Sequence, residues 1–255
     1  MRVPKPGLFA YGCFMQRVAR ASPIIVAVLL IAVAGAVGLL KVSKAECFSL
    51  TGHAICRVET DKPLVALTFD DGPTQQGLDA VLPLLRRYHA KGTFFLIGKT
   101  VEPQLVQRIV AEGHEIGNHS FNHKRMIFHT SAFYDDEIRR TDDALMAAGA
   151  PRPTLFRPPF GKKLIGLPHA VERSGKQMIM WDSGDPPDRD PKIYARKVLE
   201  KVRPGSIILI HPMHSTNATE RAALPLILEG LAKRGLRSLT VSDLIAAGAS
   251  PADAH

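Results

Sequence analysis

The stretch LVALTFDDGP at residues 64–73 joins an apolar, β-prone run to two adjacent carboxylates and then breaks at Gly-Pro. A buried strand has this pattern when its C-terminal end opens into a site. Because adjacent carboxylates repel each other, a pocket that contains both Asp70 and Asp71 needs a cation or a shared proton. The alternative is an acidic turn, since Asp and Gly follow many strands.

A second polar cluster, HSFNH at residues 119–123, favours a metal site over an acidic turn. His119 and His123 are four residues apart, so one helical turn would direct both imidazoles to the same side. Two histidines and one carboxylate leave open positions on a divalent ion, as a hydrolytic metal site requires. Without the aspartates, a pair of surface or satisfied core histidines would be the simpler interpretation.

The two clusters resemble the first two motifs of the polysaccharide deacetylases with the NodB homology domain, carbohydrate esterase family 4. The motif Thr-Phe-Asp-Asp-Gly occurs unchanged at residues 68–72, and His-Ser/Thr-x-x-His occurs at residues 119–123. The resemblance extends over residues 63–247. It implies an α/β fold, a distorted (β/α)7 barrel, and metal-dependent deacetylation of a polysaccharide. Zinc is the expected ion, with cobalt or nickel as alternatives.

The resemblance assigns a role to the polar residues of these two motifs. Asp71, His119 and His123 would bind the metal. Asp70 would stand beside the metal as the general base that takes a proton from metal-activated water. That water would attack the carbonyl carbon of an acetamide group.

The third motif of the family resembles RPPFG at residues 157–161. There Arg157 would orient the base and keep its pKa low, although a surface salt bridge is the alternative for an arginine at a strand end. The backbone N–H of Phe160 would help to hold the oxyanion. Pro159 and its neighbouring proline would fix the loop that forms one wall of the substrate groove.

The fifth motif resembles SIILIH at residues 206–211, an apolar strand that ends in histidine. By resemblance, His211 is the general acid that protonates the departing amine. The apolar lead-in, which includes Leu209, would form a small pocket for the acetate methyl group. A core histidine with both nitrogens satisfied is the alternative.

The fourth motif departs from the family pattern, which is close to Trp-x-x-Asp-x-x-Asp-Trp. Residues 181–189 read WDSGDPPDR, so the Asp-x-x-Asp spacing lies one residue further from Trp181 and Arg189 replaces the final Trp. We predict that Asp188 tunes the general acid, with Asp185 as the second choice, and that Trp181 contributes to substrate binding. Arg189 would either meet an anionic glycan or remain an exposed arginine.

Strands and helices alternate through the rest of this region, which predicts a parallel sheet with helical crossovers. The motif residues fall at the C-terminal ends of the strands, where such sheets place their sites. We predict seven strands, at residues 64–70, 93–98, 114–118, 154–157, 177–181, 206–210 and 236–240.

The net charge of +9 arises mostly at the N-terminal end of the chain. Residues 1–44 contain six of the 33 Lys and Arg residues and no acidic residue, so the remaining 27 nearly balance the 24 acidic residues. No stripe of basic and aromatic residues supports nucleic-acid binding. The excess of positive charge therefore indicates targeting.

Residues 23–40 form an uncharged run rich in Ile, Val, Leu and Ala. As a helix it would extend for about 27 Å, close to the ~30 Å hydrocarbon core of a bilayer. Four basic residues precede it, which favours a single-pass inner-membrane anchor with the catalytic domain on the periplasmic or extracytoplasmic side. A cleaved signal peptide, with a small-x-small site at residues 43–45 and a secreted product, is the alternative. The predicted order is a cytoplasmic basic segment (1–22), the membrane helix (23–40), a stalk (41–62), the deacetylase domain (63–247) and a tail (248–255).

The three cysteines fit this topology. Cys13 would be cytoplasmic and reduced. Cys47 and Cys56 would lie beyond the membrane, where an oxidising compartment permits a disulfide between them.

These patterns predict a membrane-anchored, metal-dependent deacetylase of N-acetylated or O-acetylated sugars in a cell-envelope or exported polysaccharide. Peptidoglycan and a poly-N-acetylglucosamine-type polymer are the expected substrates. A small-molecule amidohydrolase of the same fold is the second hypothesis, and an anchor argues against it. A non-catalytic glycan-binding module is the third, and it would be expected to have lost Asp70 or His211.

Overall fold

A computed structural model describes residues 23–43 and 47–249 of the chain. The chain divides between Lys41 and Val42 into two compact units. The helix predicted over residues 23–40 is present as α1 (Pro23–Ser43). Within the described residues no helix is both long enough and apolar enough to cross a membrane, so the predicted span is not supported. The predicted basic segment with Cys13, and the tail from residue 250, lie outside the described residues.

The larger unit is built on a sheet in which every strand pair is parallel. The strand order is β1-β6-β5-β4-β3-β2-β8-β7, and β9 pairs with the first residues of β2. Because β1 and β7 lie at opposite ends of this order, the sheet is an open half-barrel. The described strands are β1 (Ala54–Ile55), β2 (Leu64–Asp70), β3 (Gly92–Leu96), β4 (Glu115–Asn118), β5 (Leu155–Phe156), β6 (Gln177–Ile179), β7 (Ser183–Gly184), β8 (Ile207–Ile210) and β9 (Arg237–Leu239).

All seven predicted strands are present, and the two-residue strands β1 and β7 add to them. Helices cross between the strands, as the alternating pattern predicts. Their bounds are α2 (Gln75–Arg87), α3 (Pro103–Ala111), α4 (Ser131–Ala147), α5 (Gly166–Arg173), α6 (Pro191–Lys201), α7 (Ala218–Lys233) and α8 (Val241–Gly248).

The two faces of β2 enter two different apolar cores, because successive side chains of a strand point to opposite sides. Val65, Leu67 and Phe69 pack with the helices on the outer face. Leu64 and Ala66 pack with residues of neighbouring strands on the inner face. All seven residues of β2 are buried, which is usual for a strand covered on both sides.

The sheet begins before residue 63, within the segment predicted as a stalk. Residues 54–55 form β1 and pair with Met178 and Ile179 of β6. Val58 is buried in the inner core, and Cys47 forms a disulfide with Cys56. Residue 63 is therefore not the boundary of the folded unit, because apolar residues on its N-terminal side are needed to complete the sheet and core.

Candidate active site

Four polar residues of the motifs lie just beyond or at the carboxyl ends of parallel strands. Asp70 ends β2, His119 follows β4, Arg157 follows β5 and His211 follows β8. The sheet therefore brings these residues to one edge, as the sequence predicts. A cleft of about 600 Å³ opens there, and its lining includes Asp71, Thr74, His123, Phe160, Met213 and His214.

Asp71, His119 and His123 form a compact group of metal-donor atoms. Asp71 Oδ1 lies 3.3 Å from His123 Nε2 and 3.8 Å from His119 Nε2. This oxygen is buried and has no hydrogen-bond partner in the described part of the chain. A buried carboxylate oxygen without a partner is costly unless a cation meets it. One carboxylate and two imidazoles suit zinc, so the residues present fit a divalent metal.

The hydrogen bonding of His119 determines which ring nitrogen faces this group. Its Nδ1 lies 2.8 Å from the carbonyl oxygen of Arg157. A carbonyl can only accept, so Nδ1 carries the hydrogen and Nε2 keeps its lone pair for a metal. Burial lowers the pKa of His123, and the nearby His119 lowers it further, which favours the neutral imidazole that a metal requires.

The loop that carries the two histidines is not helical, so the predicted helical turn is wrong. Ser120 and His123 have positive φ angles, and Ser120 Oγ accepts a hydrogen bond from the backbone N–H of His123. Glu137, a buried residue of α4 that sequence reasoning missed, accepts the N–H groups of Phe121 and Asn122 at 3.0 and 2.8 Å. These bonds replace a helical ladder and hold the loop against α4.

Asp70 and Arg157 form a fully buried ion pair rather than a surface salt bridge. Arg157 Nη1 lies 2.7 Å from Asp70 Oδ1 and donates to Thr68 as well. The remaining donors of the guanidinium bond the carbonyl oxygens of Ile179 and Met180. Burial alone would raise the pKa of Asp70, but Arg157, with His119 and His211, outweighs burial and lowers it. Asp70 is therefore an anion near neutral pH, which is the state that a general base needs.

His211 faces Asp185 and Glu220, whereas the predicted partner Asp188 lies elsewhere. His211 Nδ1 is 3.7 Å from Asp185 Oδ1 and 3.8 Å from Glu220 Oε2. Asp188 is 2.8 Å from Lys197 Nζ on α6, so the choice of Asp188 over Asp185 is corrected. Asp185 has a positive φ of +50°, and two prolines then separate the two aspartates.

The charges around His211 favour its protonated form. Burial alone would lower the pKa of His211, but the carboxylates of Asp70, Asp185 and Glu220 together raise it above its ordinary value. A protonated imidazole can donate a proton, which is what the predicted general acid must do.

The four predicted substrate-binding residues occupy different environments. Phe160 is 54% exposed and lines the cleft, with its ring 4.7 Å from that of His123. Pro159 is buried beneath it. Trp181 and Leu209 belong to the inner apolar core, while other residues line the cleft. For these two residues the structure gives a packing role instead of the predicted place in the groove, because both side chains are buried among the apolar residues of the inner core.

Known proteins are similar to this chain in sequence and in fold. The family model for polysaccharide deacetylase matches residues 57–195. A peptidoglycan-N-acetylglucosamine deacetylase of Bacillus cereus is 34% identical over 76% of this chain and 94% of that protein. The peptidoglycan-N-acetylmuramic acid deacetylase PdaC of Bacillus subtilis is 32% identical over 73% of this chain, but the match spans only 40% of PdaC.

A solved structure gives the same result for the fold. BA3943 of Bacillus anthracis, described as a carbohydrate esterase family 4 pseudoenzyme, has a TM-score of 0.70 and 26% identity, covering 77% of this chain and 70% of that one. The fold and the site thus define a hydrolase on a parallel α/β half-barrel. The chain belongs to the polysaccharide deacetylase family, carbohydrate esterase family 4, which confirms the resemblance seen in the sequence.

Proposed function

We propose that the domain hydrolyses the acetamide of N-acetylglucosamine units in a cell-envelope polysaccharide such as peptidoglycan, or in an exported polymer of the same sugar. The observation that carries the proposal is the grouping at one edge of the sheet of three metal-donor side chains, a buried carboxylate and a histidine whose pKa is raised by nearby carboxylates. The relative from Bacillus cereus is named for N-acetylglucosamine and PdaC for N-acetylmuramic acid, so both support peptidoglycan as the polymer and the first supports this sugar.

Asp71, His119 and His123 would hold a divalent cation, with zinc as the first choice and cobalt or nickel as alternatives. When bound, such an ion supplies Lewis acidity at the acetyl oxygen. The two imidazoles would bind through Nε2, and the second bond of His119, to the carbonyl of Arg157, would keep its ring in place.

The protein residues would move two protons. Asp70 would accept a proton from the attacking water at Oδ2, the oxygen that is not bonded to Arg157. As the oxygen of that water bonds to the acetyl carbon, His211 would donate a proton to the nitrogen and the carbon–nitrogen bond would break. The products are acetate and a free amino sugar. The backbone N–H of Phe160 stays a predicted donor to the oxyanion.

We also propose that the domain works outside the cytoplasm, where such polymers lie. Three observations support this placement: the Cys47–Cys56 disulfide, the apolar run at residues 23–40 after basic residues, and the peptidoglycan deacetylases among the relatives. The apolar run would act either as an anchor or as a cleaved signal peptide.

The direct test is hydrolysis by the purified full-length protein supplied with zinc. Chitin oligosaccharides, peptidoglycan and acetylated xylan would each be digested, with free acetate and free amine measured together. Equal amounts of acetate and amine from the first two substrates are expected. Acetate without amine would indicate an O-deacetylase. Glycan binding without any acetate, the behaviour expected of a pseudoenzyme, would refute the proposal.

A further inference from the structure

We propose that Glu220 is the positioning residue that holds the general acid His211 at the cleft. The inference rests on the proposed function, because His211 needs a fixed orientation only if it delivers a proton to substrate. The family pattern implies a fourth-motif aspartate for this task, whereas Glu220 lies outside all five motifs, in the first turn of α7.

Side chains at the start of α7 hydrogen-bond both the N–H and the carbonyl oxygen of His211. The N–H of His211 donates to Glu220 Oε2, and the carbonyl oxygen of His211 accepts a 2.8 Å bond from Asn217 Nδ2. Asn217 stands at the N-cap position of α7, but its side chain makes no capping hydrogen bond. Two polar side chains at this helix start, those of Asn217 and Glu220, are therefore directed at His211.

Glu220 also faces the ring of His211 from a well-supported position. The same Oε2 atom lies 3.8 Å from His211 Nδ1 and accepts a 3.3 Å bond from the hydroxyl of Tyr194, a buried residue of α6. Burial raises the pKa of Tyr194 far above its ordinary range, so the hydroxyl remains a donor. Glu220 Oε2 is thus in contact with the backbone of His211, the ring of His211 and a side chain of α6.

Asp185 is the competing carboxylate, at 3.7 Å from His211 Nδ1. Its side chain is 53% exposed, whereas that of Glu220 is 11% exposed. Water and salt weaken the interaction of an exposed charge much more than that of a buried one. In the described part of the chain, the backbone of His211 hydrogen-bonds Glu220 and Asn217 and not Asp185, so Asp185 adds charge without fixing position.

The charge of Glu220 has a predictable effect on proton donation. Burial lowers the pKa of His211, and Asp70, Asp185, Glu220 and Asp71 raise it by more. Loss of the Glu220 charge lowers the pKa of His211, so the acid is deprotonated at a lower pH. Burial raises the pKa of Glu220 itself, while His211 opposes that effect. The charged and titratable groups that interact with His211 are Asp70 at the end of β2, Asp71 and His123 in the following loops, Asp185, and Glu220 on α7.

The test uses Glu220→Gln in the full-length, zinc-supplied protein. The amide oxygen of Gln can still accept from His211 N–H and from Tyr194, but the negative charge is gone. We expect kcat on an N-acetylglucosamine oligomer to fall roughly tenfold with KM nearly unchanged, and the alkaline limb of the pH profile to move down by about one unit. The imidazole resonances of His211 should titrate with the same shift. Glu229→Gln, which removes an exposed charge from the same helix α7, is the matched control and should change neither quantity.

Glu220→Asp is the second variant, since it keeps the charge but withdraws the carboxylate by one methylene group. It should bring the alkaline limb back toward that of the unmodified protein while kcat stays low. This variant also keeps the proposal testable if Glu220→Gln does not fold. If Glu220→Gln leaves the limb and the His211 titration unchanged, and Asp185→Asn shifts both, Asp185 has the role and the proposal is wrong. Failure of the proposed function has a different signature: the unmodified protein would release no acetate, while the titration of His211 could still be measured.

Discussion

Arg157 binds Asp70 through its side chain and His119 through its carbonyl oxygen, so one residue fixes both the proposed base and a proposed metal ligand. The guanidinium pairs with Asp70 at 2.7 Å, and the carbonyl accepts from His119 Nδ1 at 2.8 Å. The two functions of the site are thus coupled through a single buried arginine. A change in its side chain acts on the base, while the backbone bond to the imidazole can persist.

Replacement of this arginine should destabilise the fold and neutralise the base. In Arg157→Met, Asp70 stays buried without its counter-ion, and breaking such a pair costs about 3–5 kcal/mol. Burial, now opposed only by the histidines, should raise the pKa of Asp70 and move the acid limb of the activity profile to higher pH. Urea unfolding and the pH profile measure the two effects.

The matched control is Arg139→Met, which removes an exposed arginine paired with Asp136 and Asp143 on α4. Exposed pairs contribute about 0–1 kcal/mol. Equal losses of stability in the two variants would show that the buried pair has no special importance.

Substitution of Asp71 should reduce metal binding, whereas substitution of the adjacent Asp70 should reduce turnover without loss of the metal. Asp71→Asn weakens a ligand, so zinc content after dialysis should fall, and added zinc should restore part of the activity. Asp70→Asn leaves the three donor residues in place, so zinc content should stay near that of the unmodified protein while turnover falls by roughly 10²–10⁴-fold. Metal analysis and acetate release measure the two properties separately. The reverse pattern would exchange the two assignments.

Local sequence signals predicted the strands and the strand-end residues well, because a buried parallel strand is a continuous apolar run and its polar end is adjacent in sequence. Asp70, His119, Arg157 and His211 could therefore be assigned to one edge of the sheet. Glu137 and Glu220 could not be found in this way. Each accepts hydrogen bonds from the backbone of a segment that only the folded structure brings next to it.

Backbone conformation accounts for two of the predictions that were wrong, the helical turn at residues 119–123 and the choice of Asp188. The His119–His123 loop departs from a helix because Ser120 and Glu137 take up its backbone N–H groups. Asp185 rather than Asp188 meets His211, and Asp185 has a positive φ angle that spacing alone does not reveal.

A buried histidine outside the site should make the fold sensitive to acid. Burial lowers the pKa of His114 to about 4; its Nδ1 accepts from the backbone N–H of Gly92, and its Nε2 is buried without a partner in the described part of the chain. The unfolded chain binds this proton near pH 6.5, so stability is lost as the pH falls from about 6.5 to about 4. His114→Asn keeps an acceptor at the δ1 position and cannot titrate. Between pH 7 and pH 5 it should lose about 2 kcal/mol less unfolding free energy than the unmodified protein.

Urea titrations at the two pH values provide the measurement. The control is His169→Asn, at a histidine of α5 whose side chain is half exposed. If the His114 variant and the control lose the same stability on acidification, protonation of His114 does not drive the effect.

The location of the domain can be tested separately from its chemistry. A periplasmic reporter enzyme fused after His255 should be active only if the domain is exported. Cell fractionation and N-terminal sequencing then decide between an anchor and a cleaved signal peptide, since cleavage after residues 43–45 would give a shorter protein that begins near Glu46. Activity of a cytoplasmic reporter at the same fusion point would contradict the proposed location.

His211 should matter most when the leaving group is poor. The pKa of His211 is raised: burial opposes the shift, and the surrounding carboxylates outweigh burial, so the imidazolium persists to higher pH than in an ordinary histidine. The activity profile should then have an alkaline limb that reports this group.

His211→Ala should remove that limb and lower turnover of an N-acetylglucosamine oligomer by roughly 10²–10⁴-fold. An activated aryl acetate, whose phenolate departs without a proton, should lose much less. His214→Ala is the control, because His214 lines the cleft and lies three residues after His211, but its Nδ1 hydrogen-bonds Thr216 rather than facing a carboxylate. Equal losses on both substrates would mean that His211 maintains the structure of the cleft and does not act as the acid.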